Sequence, residues 1–385
     1  MKNSIKEEKL NIFKLSRAKG LSNLLFHKSL KIYGTATNII NNISNINKKI
    51  ILPEDDEIEK ELEICEEGIK IIDYTDNIYP NYLKNIPSFP ITLSCKGNLE
   101  LFKNERKLAI VGSRVCSINN FNFVNKISKE VSNYGYIIVS GMAKGVDSAA
   151  HSGSLTNGTI AVLGTGINKI YPKENEYLYY EILDNNGLII TEFQYNTSPK
   201  PENFPTRNRI IVGLSRGVLV ANAGAVSGTT YTAKQALEFN REIMVFPGSP
   251  YDEKSVGSNK LLKDGATMVV DTKDIIECLE TFMPQNNSYY LSDNEIQFQN
   301  SNITDDFETV IKKYDYNDNF QKNEEEKITL EELILSKLDF IPISIDEVIE
   351  NITEYDLNTI NATIIKMHLN GKIMMENGKI FLFKE

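Results

Sequence analysis

The 385-residue sequence has no tryptophan, three histidines and four cysteines. The cysteines are Cys65, Cys95, Cys116 and Cys278. They form no CxxC pair and have no histidine nearby, which argues against a zinc site and favours reduced thiols in a cytoplasmic protein. We therefore expect no bound metal.

Long apolar runs are also absent. No run approaches the roughly 20 apolar residues that a membrane-spanning helix needs. The polar start, MKNSIKEEKL, is unlike a secretory signal. Apolar residues still make up 41% of the sequence, which is enough for a sizeable interior. The length predicts two or three domains, and we expect no membrane partner.

Positive charge is scarce overall but concentrated in the middle of the chain. The net charge is −10, yet residues 101–263 contain 18 Lys and Arg against 13 Asp and Glu, and the remainder carries −15. The middle segment is therefore the part that can attract a polyanion. A scattered, solvated surface with the same excess is the alternative, so charge alone does not decide the function.

Between Lys107 and about residue 280, short apolar runs alternate with helical segments. The predicted strands are KLAIVGS, YIIVSG, TIAVLGTG, LIITEF, GVLVANA and EIMVFPG, and the predicted helices span 119–134, 143–155, 174–185, 206–215, 228–240 and 258–263. Strands that are apolar throughout predict a mostly parallel sheet covered on both faces, a Rossmann-like doubly wound α/β domain. Ligands of such sheets bind at the carboxyl ends of the strands.

The flanking segments predict smaller parts. Residues 1–52 read as a helical module of helix-hairpin-helix or SAM-like type, with any small helical bundle as the alternative, and 53–280 as the extended Rossmann-like domain. Residues 281–326 are polar and Asn-rich, as a flexible linker would be. Residues 327–385 predict a winged helix, with helices at 328–338, 344–351 and 357–369 and a β-hairpin at Asn377-Gly378.

Glycines follow several predicted strands, among them Gly112 in VGSR and Gly141 and Gly145 in SGMAKGVD. A glycine lets the backbone approach a ligand closely, and a following helix start offers free N–H groups to anions. For any one of them taken singly, a tight strand-to-helix turn is the favoured explanation. Several at one sheet edge favour a phosphate-binding rim.

Nucleotide-cofactor motifs are missing. GSRVCS has Arg114 where a GxGxxG loop needs its second glycine, and no GxxxxGK[ST] occurs. No Ser/His/Asp order is persuasive, because His151 and Asp147 fit a packed helical histidine and a helix-turn acid. We expect no cofactor and no catalytic residue.

The segment FPTRNRIIVGLSRGV places Arg207, Asn208 and Arg209 directly against an apolar run. Guanidinium groups suit phosphate oxygens, and the asparagine can donate to a phosphate or a base edge. Arg114, Lys144 and Lys173 also follow predicted strands, so the six can form one positive pocket. Alternatively, the arginine pair bonds a helix C-terminus or Glu192.

Aromatic residues lie in the same loops. Phe204 and Tyr171 can stack on bases, which is how single strands are held without sequence reading.

Together these motifs resemble the DNA processing protein A family (DprA, also called Smf). The matching segments include YPNYLKNIPSFPITLSCKG, AIVGSR, SGMAKGVDSAAH, TIAVLGTGINKIYPKEN, FPTRNRIIVGLS, SGTTYTAKQALEFNREIMVFPGS and GSNKLLKDGA, in the family's order over about residues 68–270. Family members often have arginine at Lys144 and an acid at Asn222. TEFQ replaces a common SE-P pattern but keeps Glu192.

The resemblance implies a cytoplasmic, non-enzymatic protein that binds single-stranded DNA, protects incoming DNA during natural transformation, loads RecA and forms dimers. By motif it carries the DNA-binding role to Arg114, Lys144, Lys173, Arg207 and Arg209. With the strand-end and loop residues considered above, the predicted DNA site comprises Gly112, Ser113, Arg114, Gly141, Lys144, Gly145, Lys173, Phe204, Arg207, Asn208 and Arg209.

Two other functions fit parts of the sequence. A Rossmann-like phosphoribohydrolase would need a paired-glycine loop beside a catalytic glutamate, a pattern absent from this sequence.

A transcription regulator would use the winged helix, but residues 327–385 contain 6 Lys and Arg and 10 Asp and Glu. A duplex binder presents a basic face. We expect the wing to contact protein or to bind nothing strongly, and its deletion to leave single-strand affinity largely intact.

Overall fold

The computed structural model describes residues 2–65, 68–224 and 227–281, together with residue 330 and short stretches between 343 and 382. The chain divides into two compact units, residues 1–287 and 288–385. The finer boundaries expected at 52, 280 and 326 stay predictions. Within the described residues, no helix combines the length and apolar character that crossing a membrane requires.

The first unit contains thirteen α-helices and nine strands among its described residues. The helices are α1 (Lys2–Arg17), α2 (Asn23–Tyr33), α3 (Ala36–Asn41), α4 (Ile43–Ile46), α5 (Asp55–Cys65), α6 (Asn81–Lys84), α7 (Ile118–Asn133), α8 (Val146–Ser154), α9 (Glu176–Asp184), α10 (Asn203–Leu214), α11 (Gly228–Glu238), α12 (Val256–Lys263) and α13 (Thr272–Thr281). The strands are β1 (Ile69–Asp73), β2 (Thr92–Gly97), β3 (Lys107–Gly112), β4 (Ile137–Ser140), β5 (Thr159–Val162), β6 (Leu188–Thr191), β7 (Gly217–Asn222), β8 (Glu242–Val245) and β9 (Thr267–Met268).

All nine strands form one sheet in the order β1-β2-β6-β5-β4-β3-β7-β8-β9. In this spatial order, seven neighbouring strands are parallel, namely β6, β5, β4, β3, β7, β8 and β9. Beyond β6, β2 and then β1 extend the sheet with antiparallel pairing. The strand order reverses between β3 and β7, the switch point of a doubly wound sheet. The predicted Rossmann-like fold is confirmed.

Helices cover both faces of this sheet because the central strands are apolar on both sides. Leu108 and Ile110 of β3 pack with α7, α8 and α13, whereas Ala109 and Val111 pack with α6, α10 and α11. Each cluster contains fully buried aliphatic side chains from several strands. The two-sided core explains why these strands show no alternation of polar and apolar residues.

Three elements differ from the sequence prediction. Helix α10 begins at Asn203, three residues before the predicted start, so Phe204 belongs to its first turn. The short strand β9 and helix α13 were not predicted. The earlier start of α10 matters most, because it puts Phe204 and Arg207 on one rigid element.

The N-terminal helices have their own apolar cluster, which includes Phe26 and Ile39, and pack onto the sheet at Ile91. Arg17, at the end of α1, is buried and ties this module to the sheet. Its guanidinium donates to Thr92 Oγ1 (3.3 Å) and to the carbonyl oxygen of Glu192 (3.2 Å), and it forms a 3.0 Å ion pair with Glu61.

The second unit contains a three-stranded antiparallel sheet of β10 (Ile343–Ser344), β11 (Ile373–Glu376) and β12 (Lys379–Leu382), in the order β10-β12-β11. Strands β11 and β12 pair from Ile373↔Leu382 to Glu376↔Lys379, the pairing that the Asn-Gly signal predicts. Apart from single positions, the helices predicted at 328–338, 344–351 and 357–369 lie outside the described residues.

Candidate nucleic-acid interface

The loops that follow β3, β4, β5 and β6 meet at the carboxyl edge of the sheet, as parallel topology requires. Gly112 ends β3, the predicted site residues from 113 to 173 lie on the first three of these loops, and the remaining four lie on α10, which runs along the same edge. Its packing against β3, β4 and β5 brings the two groups together.

The loop between β4 and α8 is held in shape by Asp147. This carboxylate accepts hydrogen bonds from the backbone N–H groups of Gly141 (3.1 Å) and Ala143 (3.3 Å). Burial raises the pKa of Asp147, while the Arg207 charge and the backbone bonds oppose that rise. The residue therefore shapes a loop, and no catalytic duty is needed to explain it.

The loops after β3 and β4 pack directly on each other. The backbone N–H of Val146 donates to the carbonyl oxygen of Ser113 (3.2 Å). Gly145 has a φ of 76°, and a Cβ there would lie 2.5 Å from that same oxygen. A glycine is therefore required at 145. Gly112 ends β3, and the Ser113 hydroxyl donates to the carbonyl oxygen of Val115 (2.8 Å).

Arg207 lies beneath these loops and does not face solvent. Its side chain is buried, with 4% of the residue exposed. Its Nη1 donates to the carbonyl oxygens of Gly141 (2.6 Å) and Val162, at the ends of β4 and β5. Burial lowers the pKa of Arg207 to about 10, so the group stays protonated at neutral pH. The sequence prediction had this guanidinium facing a ligand. In the structure it instead donates to the carbonyl oxygens at the strand ends.

Arg209 is also buried and pairs with the carboxylate of Glu192. Asn23 of the N-terminal module donates to the same carboxylate oxygen of Glu192 at 3.0 Å. This is the alternative that the sequence left open, and it places the charge of Arg209 inside the protein. Asn208 is likewise engaged internally, donating to Thr232 Oγ1 (2.8 Å) and accepting from Arg207 Nε (3.1 Å).

Arg114 behaves differently. It is exposed on the loop after β3, and its guanidinium carbon lies 5.3 Å from the centroid of the Phe204 ring. Phe204 in turn packs against Tyr171 at 5.6 Å with an interplanar angle of 37°. In the described part of the chain, Arg114 has no ion-pair partner. An unpaired cation thus lies on a partly exposed aromatic pair.

Three lysines lie on neighbouring segments: Lys144 is on the loop after β4, Lys173 is two residues after Tyr171, and Lys200 is four residues before Phe204. Lys144 Nζ lies 2.5 Å from a carboxylate oxygen of Glu174, with both side chains at least half exposed. Such surface pairs contribute little and separate readily. Lys173 and Lys200 are exposed, and their ammonium groups have no partner among the described residues. We call Arg114, Lys144, Tyr171, Lys173, Lys200 and Phe204 the exposed rim.

Lys200 was missed at the sequence level. It precedes α10 by three residues, and its carbonyl oxygen accepts the N–H of Asn203 at 3.0 Å. Asn203 Nδ2 donates to the carbonyl oxygen of Gly164 (3.1 Å), which anchors this turn to the end of β5. The signal available in the sequence was the Lys200-Pro201 pair, two residues before the FPTRNR segment.

His151 is buried in α8 and serves the fold. Its Nδ1 lies 2.9 Å from Thr159 Oγ1, and burial lowers the pKa of the imidazole to about 3. The ring is therefore neutral at physiological pH and has no route to a ligand at the rim.

The fold and the rim together define a doubly wound α/β protein with exposed cations and partly exposed aromatic rings at the carboxyl edge of its sheet. A family model, DNA recombination-mediator protein A, matches residues 70–280. The chain belongs to this family, which confirms the resemblance.

Individual relatives agree. The DNA processing protein DprA of Streptococcus pneumoniae is 42% identical over 203 residues, which are 52% of this chain and 71% of that protein. The X-ray structure of that species' DprA matches with a TM-score of 0.59 at 32% identity, covering 69% of this chain and 95% of the other. A DprA structure from Helicobacter pylori, described for its single-stranded DNA binding mode, matches with a TM-score of 0.51 at 28% identity, covering 55% and 96%.

Proposed function

We propose that this protein is a recombination mediator that binds single-stranded DNA on the exposed rim. The observation that carries the proposal is the stacking of Arg114 on Phe204, beside Tyr171. A guanidinium group binds phosphate oxygens, and an aromatic face stacks on an unpaired base. In a single strand, a phosphate and the unstacked base of the same nucleotide can both contact the protein. In a duplex the base is paired and stacked, so only the phosphate is accessible.

Charge supports the same ligand. The rim contributes four cations, and among the described residues the ion pair that involves them is the exposed Lys144–Glu174 pair. A strand that neutralises these cations releases counterions, and binding then weakens as salt rises. The single-stranded DNA binding mode described for the H. pylori relative is consistent with this ligand.

Fluorescence anisotropy of a labelled oligonucleotide, titrated with the full chain at several salt concentrations, tests the proposal. With three or four phosphates contacted, the plot of log K against log salt has a slope of roughly −2 to −3 for a single strand. A duplex of the same sequence serves as the control and binds more weakly. Salt-independent binding, or equal affinity for the duplex, would overturn the assignment.

The proposal extends to the finer role implied by the family resemblance, protection of incoming strands and loading of RecA. We expect the protein to slow nuclease digestion of single strands and to shorten the lag of RecA filament assembly on them. A protein that protects strands but leaves the RecA lag unchanged would retain the binding role and lose the loading role.

We also propose a homodimer formed through the β9 edge of the sheet. Strand β9 pairs only with β8 among the described strands, and Met268 is 57% exposed there. An exposed apolar edge is a natural pairing surface. Sedimentation of wild type and Met268→Glu tests this, with a shift toward monomer expected for the variant. An unchanged dimer, or a wild-type monomer, would exclude this edge.

The proposal assigns no catalytic group to the rim. Incubation of the purified protein with nucleoside monophosphates is expected to give no hydrolysis. Turnover that survives repeated purification would instead favour the phosphoribohydrolase-like alternative.

A further inference from the structure

A concave site lies at the carboxyl ends of β7 and β8, on the same edge of the sheet as the exposed rim. It is a cavity of about 390 Å³, within the range of roughly 300–1,000 Å³ typical of small-ligand sites. Asn222, at its base, pairs across the sheet with Gly112, two residues before Arg114. The cavity and the loop that carries Arg114 therefore start from neighbouring strand ends.

Two side-chain carboxamides of the cavity lining form no hydrogen bond with the described residues. Among the described residues, the side chains of Asn120 and Asn222 have no hydrogen-bond partner, and the Oδ1 atom of Asn222 is buried. The other polar side chains nearby are engaged, for example Ser258 Oγ, which accepts the N–H of Ala223 at 2.8 Å. A buried amide oxygen without a partner costs free energy, and a ligand that donates to it recovers that cost.

Aromatic and other apolar side chains form one part of the remaining wall, beside the serines and Asp252 of the lining. Phe123 and Phe246 contribute a T-shaped aromatic pair with centroids 4.6 Å apart, and Pro247 and Val269 also line the cavity. Planar rings pack well against such walls.

The charge of the lining excludes phosphate as the main occupant. The lining residues include one carboxylate, Asp252, and no lysine or arginine. Asp252 is already hydrogen-bonded to the Ser255 hydroxyl at 3.0 Å. A neutral ring with donor and acceptor atoms on its edge fits this combination, whereas an anion does not.

We propose that this cavity receives one nucleobase of the strand whose backbone lies on the exposed rim. Asparagine carboxamides pair with base edges through one donor and one acceptor. Ser117, on the cavity lining, is three residues from Arg114, a separation of at most about 11 Å along the chain. A phosphate at Arg114 and a base in the cavity thus belong to one short stretch of strand. This inference rests on the proposed single-strand binding.

The test uses a short oligothymidylate of about six nucleotides, near the lower end of known site sizes, and a set in which one position at a time is abasic. For wild type, one abasic position is expected to weaken binding about tenfold. In Asn222→Ala and Asn120→Ala, the intact oligonucleotide binds about tenfold more weakly, and the abasic penalty at that position disappears. Asn119→Ala, an exposed neighbour on α7, is the matched control and keeps the wild-type pattern.

The outcomes separate the two proposals. If wild type binds the strand in a salt-dependent, Arg114-dependent manner but no abasic position matters and both asparagine variants bind normally, the base site is wrong and the rim stands. If wild type binds no single strand at all, both are wrong. Thermal denaturation verifies folding of each variant, and Asn120, at the partly exposed start of α7, gives a second reading should Asn222→Ala unfold.

Discussion

The exposed rim and the buried arginine pair, Arg207 and Arg209, are close in space and alike in chemistry, yet they meet opposite environments. Arg114 lies over Phe204, is exposed and has no ion partner in the described parts of the chain, whereas Arg207 donates to the ends of two strands and Arg209 pairs with Glu192. The comparison teaches that a guanidinium at a sheet edge has two uses. One holds the edge in shape, and the other remains available to a ligand.

The buried pair, Arg207 and Arg209, contributes more to the free energy of folding than the exposed rim does. Moving a charge out of water costs several kcal/mol, which its partners must offset, so losing one partner of a buried set is strongly destabilising. The charges of the exposed rim contribute little to stability, because water solvates them in the folded protein as well. Mutations should therefore separate the two regions by the quantity they change.

The largest expected effect is on folding, in Arg207→Ala. This change leaves the carbonyl oxygens of Gly141 and Val162 without their donor and removes the positive charge near buried Asp147. We expect the free energy of unfolding to fall by roughly 3–5 kcal/mol, measured by urea denaturation. Arg114→Ala, the exposed counterpart, should change it by no more than about 0.5 kcal/mol.

An Arg207→Ala protein of wild-type stability that had lost its affinity for single strands would reverse the comparison. It would mean that Arg207 serves the ligand and that its strand-end contacts are incidental.

A double-mutant cycle sharpens the buried half of the comparison. Glu192→Leu leaves the buried Arg209 without its carboxylate, and Arg209→Met leaves the buried Glu192 without its cation. Each single variant should therefore lower the free energy of unfolding by about 3 kcal/mol. The double variant removes both charges and should recover about 2 kcal/mol of the summed loss, as unfolding free energies will show. Purely additive losses would indicate that the pair is not coupled.

Phe204→Ala addresses the exposed half. Removing the ring eliminates a stacking surface that is worth roughly 1–3 kcal/mol per base, so single-strand affinity should fall about tenfold or more in anisotropy titrations. The matched variant Phe204→Tyr keeps an aromatic face and should bind within about threefold of wild type. Equal losses in both variants would point to a packing defect at Gly164, which Phe204 contacts.

A further expected effect is a pH dependence of stability. Burial, helped by the charge of Arg207, lowers the pKa of His151 to about 3 in the folded protein, whereas the unfolded chain protonates this residue near pH 6.5. The unfolded state thus binds the extra proton, and the free energy of unfolding falls as pH drops below about 6.5, by up to ~1.4 kcal/mol per unit. In His151→Gln the slope between pH 6.5 and 4.5 should be smaller by about one proton; identical slopes would contradict the assignment.

The sheet was predictable because its strands are apolar runs of the right length, and the strand-end glycines were visible beside them. The start of α10 was predicted three residues late, just after Pro205. A proline in the first turn is tolerated, since the N–H it lacks would have no partner within the helix. Strand β9 has two residues, too few for any pattern to show.

The burial of Arg207 was within reach of the sequence. It lies three, four and seven residues before Ile210, Ile211 and Leu214, so it shares their buried helical face. The stacking of Arg114 on Phe204 was not within reach, because the two residues are 90 positions apart and only the strand order brings them together. Residue type indicated the chemistry at both places, and topology decided which group stays free.

The most direct test of the account compares salt titrations of single-strand binding for wild type, Arg114→Ala and Arg106→Ala. Arg106 is an arginine of similar exposure just before β3, at the opposite end of the strand from Arg114, and it pairs with Glu280 at 3.4 Å. Arg114→Ala should bind about tenfold more weakly, with a salt slope shallower by roughly 0.7, while Arg106→Ala matches wild type. Equal slopes and affinities for all three proteins would contradict the claim that Arg114 holds a phosphate on the exposed rim.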